Sequence, residues 1–326
     1  MQNTDSAKDL VVGVVGLGLM GGSIVVAFLI AGHRVIAVAP LSSDMVEARS
    51  HIRKQLAHGE HSELLSMPVD KYLDQLTITE DYSLLNDCSL VMECVIENVE
   101  IKKTVFSKIV SAVSQSTIIA SNTSAIPIST LQKLVSHPQR FLGIHWSEPA
   151  YMTRFLEVTC GDQTDKSYAE WVVELAGLWG KEPTLLKKDI RGFITNRLMY
   201  AVYREGLALI ENGDATMEDV DKAFRYDAGS WITLMGIFRR MDFLGLRDSK
   251  QVLTSIYPKL CNKETVPAVM QEMVDKQARG IHNMKGLFEY TPEEARQWEN
   301  AFAEFNEDIF KLAAKYPSPV TSLNQD

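Results

Sequence analysis

The sequence predicts an α/β domain built on a mostly parallel sheet, followed by an all-α domain. Three observations carry this. Through the first half, short β-branched runs alternate with helical patterns, which is how strand–helix–strand units read. Those runs are almost continuously apolar, as strands buried on both faces are. After about Asp189 the β-rich runs thin out, and helical periodicity continues from Phe193 to Tyr316. The expected domains are therefore 1–189 and 190–326, and two domains suit a chain of 326 residues.

Taken in order, residues 10–15 and 34–38 read as the first two strands, with a helix over 21–31 between them. A helix over 44–58, strands at 76–79 and 90–95, and a helix over 100–113 follow. Strands at 117–121 and 141–145 come next, and Glu157 lies at the start of another in the run FLEVT. In the second domain Met199, Val202, Tyr203, Leu207 and Ile210 keep a three-to-four spacing, one apolar face of a helix. Asp214 and Thr216 are candidate starts for the next helix, and Pro258, Pro267 and Pro292 punctuate later ones. The tail after Tyr316 is expected to fray.

Composition narrows the function classes. Hydrophobic residues are 46% and charged residues 23%, ordinary for a globular protein, so a disordered, collagenous or disulfide-scaffold chain is excluded. With 33 basic and 42 acidic side chains the formal charge is −9, and without a basic run this is a poor nucleic-acid or anionic-membrane binder. Cys88, Cys94, Cys160 and Cys261 form no CxxC pair and read as free thiols in a reducing cytosol. The first ten residues lack a signal-peptide pattern, and the apolar stretch 24–31 is too short to span a bilayer. A cytoplasmic location is the expectation. His51, His58 and His61 are read as a solvated helix face, and no metal is expected.

The strongest local signal is Gly16-Leu17-Gly18-Leu19-Met20-Gly21, directly after the first strand and opening a helix. The first glycine permits a tight turn, the second lets backbone approach a pyrophosphate, and the third lets helix and strand pack closely. The helix N-terminus offers N–H groups and a positive dipole end to the phosphates. A dinucleotide-binding, Rossmann-like domain follows from that position. The acid that should end the second strand and bind the adenosine ribose is missing, and Ala39 fills its slot. Ser42 and Ser43 follow as hydrogen-bonding groups, with no Arg in the loop to pair with a 2′-phosphate. NAD is the expected cofactor, with NADP left open.

Three more clusters bear chemistry. His145 closes an apolar strand and Glu157 starts another, so a turn-containing loop can bring a base and its carboxylate together. Read alone, a strand-end His is more often structural. Asn122, Thr123 and Ser124 follow the strand ending at 121, where polar groups face the ligand crevice of a parallel sheet, although turn chemistry alone uses the same residues. Asn196 lies in the first turns of the helix at the domain junction, where capping or packing would also explain it.

Together these stretches resemble the L-3-hydroxyacyl-CoA dehydrogenase family, including its lambda-crystallin, L-gulonate and carnitine dehydrogenase-like branch. The resemblance covers about residues 9–290 and rests on GVVGLGLMG, MECVIENVEIKK, SNTSAIPI, LGIHWSEP through FLEV, IRGFITNRL, ENGDATMEDVD and KGLFEY, in order. It implies a catalytic set of His145 as base, Glu157 as its partner, and Ser124 and Asn196 on the substrate side. It implies that Glu97 and Lys102 line the nicotinamide side, with Gly16, Gly18, Leu19, Met20, Gly21, Ala39 and Asn122 as further cofactor contacts. The implied reaction is hydride transfer between a 3-hydroxy acid, or its acyl thioester, and NAD(P), in a homodimer joined through the helical domain. The opposing reading is a non-catalytic NAD(H)-binding structural or sensor protein, of crystallin type.

The chain departs from the family pattern in three places. Glu148 stands where the family has Asn, three residues past His145, and an ionised carboxylate there would favour imidazolium and a hydroxyl-rich or cationic substrate. The segment after the second strand lacks a lysine-rich stretch of the kind used against CoA, which favours a free hydroxy acid. In the helical domain, Arg239 and Arg240 follow Gly236-Ile237-Phe238 and could bind a carboxylate, or could simply face solvent, with Trp231 nearby as a substrate wall.

Overall fold

The computed structural model describes residues 10–316, leaving out the side chains of Ser42, Ser43, Asp44 and Val46. The reading of Ser42 and Ser43 as hydrogen-bonding groups, and the fraying of the tail, therefore lie outside what is described. The chain divides into two compact units, one through Asn196 and the other from Arg197.

The first unit is one eight-stranded sheet in the order β3-β2-β1-β4-β5-β6-β7-β8. Its strands are β1 (Val11–Val15), β2 (Arg34–Val38), β3 (Leu76–Thr79), β4 (Leu90–Glu93), β5 (Ile118–Ser121), β6 (Phe141–Trp146), β7 (Phe155–Cys160) and β8 (Glu182–Leu186). Every neighbouring pair is parallel except β6 with β7. The central strands are apolar because both faces are covered: all four residues of β4 and of β5 are buried. Helices α1 (Leu19–Ile30), α2 (Ser42–His61), α3 (Val69–Leu73), α4 (Val99–Ala112), α5 (Ile128–Gln132) and α6 (Lys166–Ala176) flank it. Helix α1 buries nine consecutive residues, Gly21 to Leu29, so it is an interior helix rather than an amphipathic one. Strand order reverses between β1 and β4, and ligands of open α/β sheets bind outside the strand ends at such a point.

Four elements of the first unit, β8, α3, α5 and α6, were not read from the sequence. Strand β8 holds Pro183 and alternates in exposure, as an edge strand does. Helix α6 begins at an Asp165 cap that accepts from Ser167 N. Helix α3 is a single short turn after Pro68.

The second unit is helical: α7 (Thr195–Glu211, which starts in the first unit), α8 (Met217–Ala223), α9 (Gly229–Leu244), α10 (Leu246–Ile256), α11 (Ala268–Asp275) and α12 (Pro292–Lys315). Thr216 caps α8, and Pro267 and Pro292 open α11 and α12, whereas Asp214 starts nothing. Thr291 and Glu294 close a capping box on α12. Helix α9 is kinked at Gly236, where φ is +71°. The apolar face expected on α7 is only half covered: Val202 and Tyr203 are 41% and 52% exposed. Ala208 and Ala295 are the fully buried apolar residues of this unit among those described.

Candidate active site

The glycine turn leaves β1 with Gly16 N–H bonded to the Val38 carbonyl at 2.9 Å, which fixes it over the β1–β2 end. Gly16 has φ +98°, and a Cβ there would press on the Cys94 backbone. A Cβ on Gly21 would fall 1.8 Å from the Gly16 carbonyl oxygen, so only glycine lets α1 pack this close. At Gly18 a Cβ would meet nothing within 4 Å; a side chain there would fill the open space in front of the helix. Gly18 caps α1 without any side-chain acceptor, leaving the first-turn N–H groups to an anion. These residues fit the pyrophosphate of a dinucleotide. A hollow of about 530 Å³ adjoins the turn, with Gly18, Leu19 and Gly22 on one side and Glu47, His51 and Lys54 of α2 on the other. Leu19 is 70% exposed at its rim, and Met20 is half-buried. Ala39 is buried, with its N–H bonded to the Thr79 carbonyl at 2.9 Å. Its methyl group offers a ribose hydroxyl no acceptor.

His145 and Glu157 are direct cross-strand partners in the antiparallel β6–β7 pair. Side chains opposed in this way share a face, so the register of the two strand ends brings them together. His145 Nδ1 lies 3.2 Å from Glu157 Oε2; the imidazole is 14% exposed and the carboxylate is fully buried. Glu157 Oε1 accepts the N–H groups of Ile194 at 2.8 Å and Thr195 at 3.1 Å, at the start of α7. Burial pushes the Glu157 carboxyl up, but the bonds from His145, Ile194 and Thr195 outweigh it and hold the group below the ordinary glutamate range. Phe155 and Phe193 wall the imidazole, at ring separations of 5.4 and 5.8 Å. Phe193 is buried with φ +50°, a left-handed backbone for a bulky residue, next to Gly192 at +81°.

Glu97 is a hub that the sequence reading assigned only to the cofactor. Its Oε1 accepts Thr123 Oγ1 at 2.5 Å, Ser124 N at 3.1 Å and Ala125 N at 3.2 Å. Burial opposes the charge, yet Thr123, Lys102 and Ala125 hold the carboxyl low. The Ser124 carbonyl then accepts Asn196 Nδ2 at 2.7 Å, while the Ser124 side chain stays exposed. Ser124 and Asn196 are thus brought together. Lys102 is 1% exposed and gives its ammonium to Glu93 and Glu97, so it lies beneath the surface rather than lining it. Asn122 Oδ1 accepts Trp146 N at 2.9 Å and staples the end of β5 to β6.

Glu148 has its contacts away from the base. It is hydrogen-bonded to Ser23 on α1, and its Oε2 is buried with no partner among the described residues. Burial raises its carboxyl above the ordinary range, only partly offset by Ser23. Tyr151 stands close enough for the Glu148 charge to raise its phenol, and its hydroxyl pairs with His58 Nδ1 at 2.9 Å. His58 is therefore tied into the unit, unlike the exposed His51 and His61, and no metal-binding group of His, Cys, Asp or Glu occurs among the described residues. In the helical unit, Trp231 and Arg239 lie on α9 on either side of the Gly236 kink; Arg239 is exposed, and Arg240 stacks over Trp231 and Phe243. No described helix is long and apolar enough to cross a membrane.

A dinucleotide cradle at the switch point and a carboxylate-held histidine define an NAD-binding oxidoreductase. The family models "3-hydroxyacyl-CoA dehydrogenase, NAD binding domain" and "3-hydroxyacyl-CoA dehydrogenase, C-terminal domain" match residues 11–190 and 192–290. The chain belongs to the 3-hydroxyacyl-CoA dehydrogenase family, and its cofactor is NAD. It is 31% identical to a 5-formyl-3-hydroxy-2-methylpyridine 4-carboxylate 5-dehydrogenase of Mesorhizobium japonicum, over 87% of this chain and 92% of that protein. It is likewise 31% identical to the mitochondrial hydroxyacyl-coenzyme A dehydrogenase of Sus scrofa, over 76% and 81%. A crystal structure of a 5-formyl-3-hydroxy-2-methylpyridine 4-carboxylic acid 5-dehydrogenase, described as an NAD+-dependent dismutase, superposes with TM-score 0.88 at 29% identity, covering 95% of this chain and all of that one. The family and these relatives support NAD-dependent oxidoreduction of a hydroxy compound.

Proposed function

We propose that the protein interconverts a 3-hydroxy acid, or its acyl thioester, and the 3-oxo form, with His145 as the proton-transfer residue. One observation carries this: Glu157 uses one oxygen to hold His145 Nδ1 and the other to accept two main-chain N–H groups. NAD, when bound, supplies the hydride acceptor and donor. An Nδ1–H held by Glu157 leaves Nε2 to take the substrate hydroxyl proton, and to return it in the reverse direction. Glu157 fixes the tautomer and stabilises the imidazolium. The Ser124 hydroxyl and Asn196 orient the oxygen that alternates between alcohol and carbonyl. Glu97 and Asn122 shape the cofactor side.

Within this reading a free acid is favoured over a CoA thioester. The segment after β2 has no lysine-rich stretch, and one similar protein is named for a pyridine carboxylate. The deciding experiment follows NADH absorbance with a panel of free 3-oxo acids and 3-oxoacyl-CoA thioesters. Oxidation with the free acids first supports the reading; preference for thioesters reverses the substrate assignment. NADH binding without turnover on either class leaves the structural or sensor reading in its place. A homodimer through the helical unit belongs to the same proposal, supported by Phe238, Phe243 and Val266 at 80%, 73% and 69% exposed.

Two expectations follow from single side chains. Ala39→Asp adds the missing ribose acceptor and a charge hostile to a 2′-phosphate. The ratio of kcat/KM for NAD over NADP should rise about tenfold or more, the scale of one charge-assisted hydrogen bond, measured with both cofactors. An unchanged ratio would place the ribose elsewhere. Glu148→Asn removes a carboxyl whose pKa is raised. The wild-type kcat/KM profile should carry an inflection above the ordinary glutamate range, and the variant should lack it, with a few-fold change in substrate ranking. An identical profile and ranking would make Glu148 a bystander.

A further inference from the structure

We propose that Glu93 is a positioning residue: by taking up Lys102 at the end of β4, it leaves Glu97 free to hold the Ser124 turn. The proposal rests on the reading of Ser124 and Asn196 given above. Glu93 is fully buried and accepts four hydrogen bonds. Lys102 Nζ donates to Oε1 and Oε2 at 2.8 and 2.9 Å. Val95 N donates to Oε1 at 2.7 Å, and Ser121 Oγ to Oε2 at 2.6 Å. A buried carboxylate needs this many partners, and so fixes its surroundings.

One ammonium serves two carboxylates here. Lys102 lies 2.8 Å from Glu93 but 3.3 Å from Glu97 Oε2, so Glu93 holds the cation. The Glu97 carboxylate is thereby left to gather Thr123, Ser124 and Ala125 on its other oxygen. Thr123 Oγ1 in turn accepts Ile126 N at 3.0 Å, and the Ser124 carbonyl holds Asn196. If Glu93 loses its charge, Glu97 becomes the sole carboxylate beside Lys102 in this cluster. The ammonium then closes on Glu97 and competes with the three turn donors. Ser124 and Asn196 lose their fixed position without either being altered. Neutralising Glu97 itself should release the same turn, so the two carboxylates act as one device.

The test is Glu93→Gln in the full chain, read first by hydrogen exchange, which needs no activity. The Ser124 and Ala125 amides should exchange about tenfold faster or more, while β1 and β2 amides keep their wild-type rates. Turnover should fall about 10–100-fold, with the NADH dissociation constant within about threefold. The double variant Glu93→Gln/Glu97→Gln should be no slower than the worse single one, because both act through one turn. Glu93→Asp, which keeps the charge, should recover part of the loss. Unchanged Ser124 and Ala125 exchange, or strictly additive losses in the double variant, would overturn the proposal. Should Glu93→Gln not fold, Ser121→Ala removes one of the four bonds and keeps the charge. The same two amides should then loosen to a smaller extent, and unchanged exchange there overturns it equally. His145→Ala assayed alongside separates the two readings: full turnover in that variant rejects the proposed function, whatever Glu93 does.

Discussion

His145→Ala is expected to bind NADH with near wild-type affinity and to turn over about 10²–10⁴-fold more slowly, the usual contribution of general acid–base catalysis. The two halves of this expectation have separate structural grounds. In the proposed reading, cofactor affinity rests on the Gly16–Gly21 turn and the α1 N-terminus, which the substitution does not touch. In the proposed mechanism, proton transfer rests on an imidazole walled by Phe155 and Phe193 and held by one buried carboxylate. Alanine leaves Glu157 buried without its imidazole, although the Ile194 and Thr195 N–H groups still satisfy Oε1. The folded state should therefore survive with a lowered Tm. Fluorescence titration with NADH and steady-state kinetics on the best 3-oxo substrate measure the two halves independently. A kcat within a few-fold of wild type would remove His145 from the mechanism.

Local features of this site were legible in the sequence, and long-range ones were not. The glycine turn depends on six consecutive residues, and each glycine meets its expected constraint: positive φ at Gly16, open space at Gly18, closest packing at Gly21. The central strands were legible because burial on both faces leaves an unbroken apolar signature. Strand β8 was not, because an edge strand with Pro183 carries neither that signature nor clean alternation. His145 and Glu157 could be paired as a chemical type, but their contact comes from β6–β7 register. The hub at Glu97 left no sequence signal, because two of its acceptor bonds go to main-chain N–H groups of Ser124 and Ala125, which any residue supplies. The hydrogen bond of Glu148 left no local signal either. Its motif position gave its distance along the chain from His145, whereas its hydrogen bond goes to Ser23, on a helix over a hundred residues earlier. The exposed side of α7 shows the converse. Periodicity marks Val202 and Tyr203 as apolar-face residues without saying what covers them.

Glu157→Gln should be nearly as damaging as loss of the base itself, with turnover down about 10²–10⁴-fold, although it changes one atom and preserves shape. The reason is a count of acceptors. The carboxylate presents two oxygens, Oε2 to His145 Nδ1 and Oε1 to the Ile194 and Thr195 N–H groups. A glutamine has a single oxygen and an NH₂ group that only donates. If its oxygen faces Ile194 and Thr195, the NH₂ faces Nδ1, forces the opposite imidazole tautomer and places the proton on Nε2, where a base needs a lone pair. If it turns the other way, two N–H groups at the start of α7 lose their acceptor. Either way the negative charge that would stabilise the imidazolium is gone. The pH dependence of stability gives an independent check. The folded pKa of Glu157 is depressed, so its stabilisation is present above the unfolded glutamate pKa and is lost as pH falls through the folded value. Glu157→Gln should accordingly flatten the rise of Tm with pH across the acid range, measured from strongly acidic conditions to about pH 6. It should also lower Tm near neutrality, while the NADH dissociation constant stays near that of wild type. A variant with normal turnover but a flattened acid limb of stability would mean that the imidazole is held by its aromatic walls alone, and that the carboxylate beneath it is a structural acceptor for the start of α7.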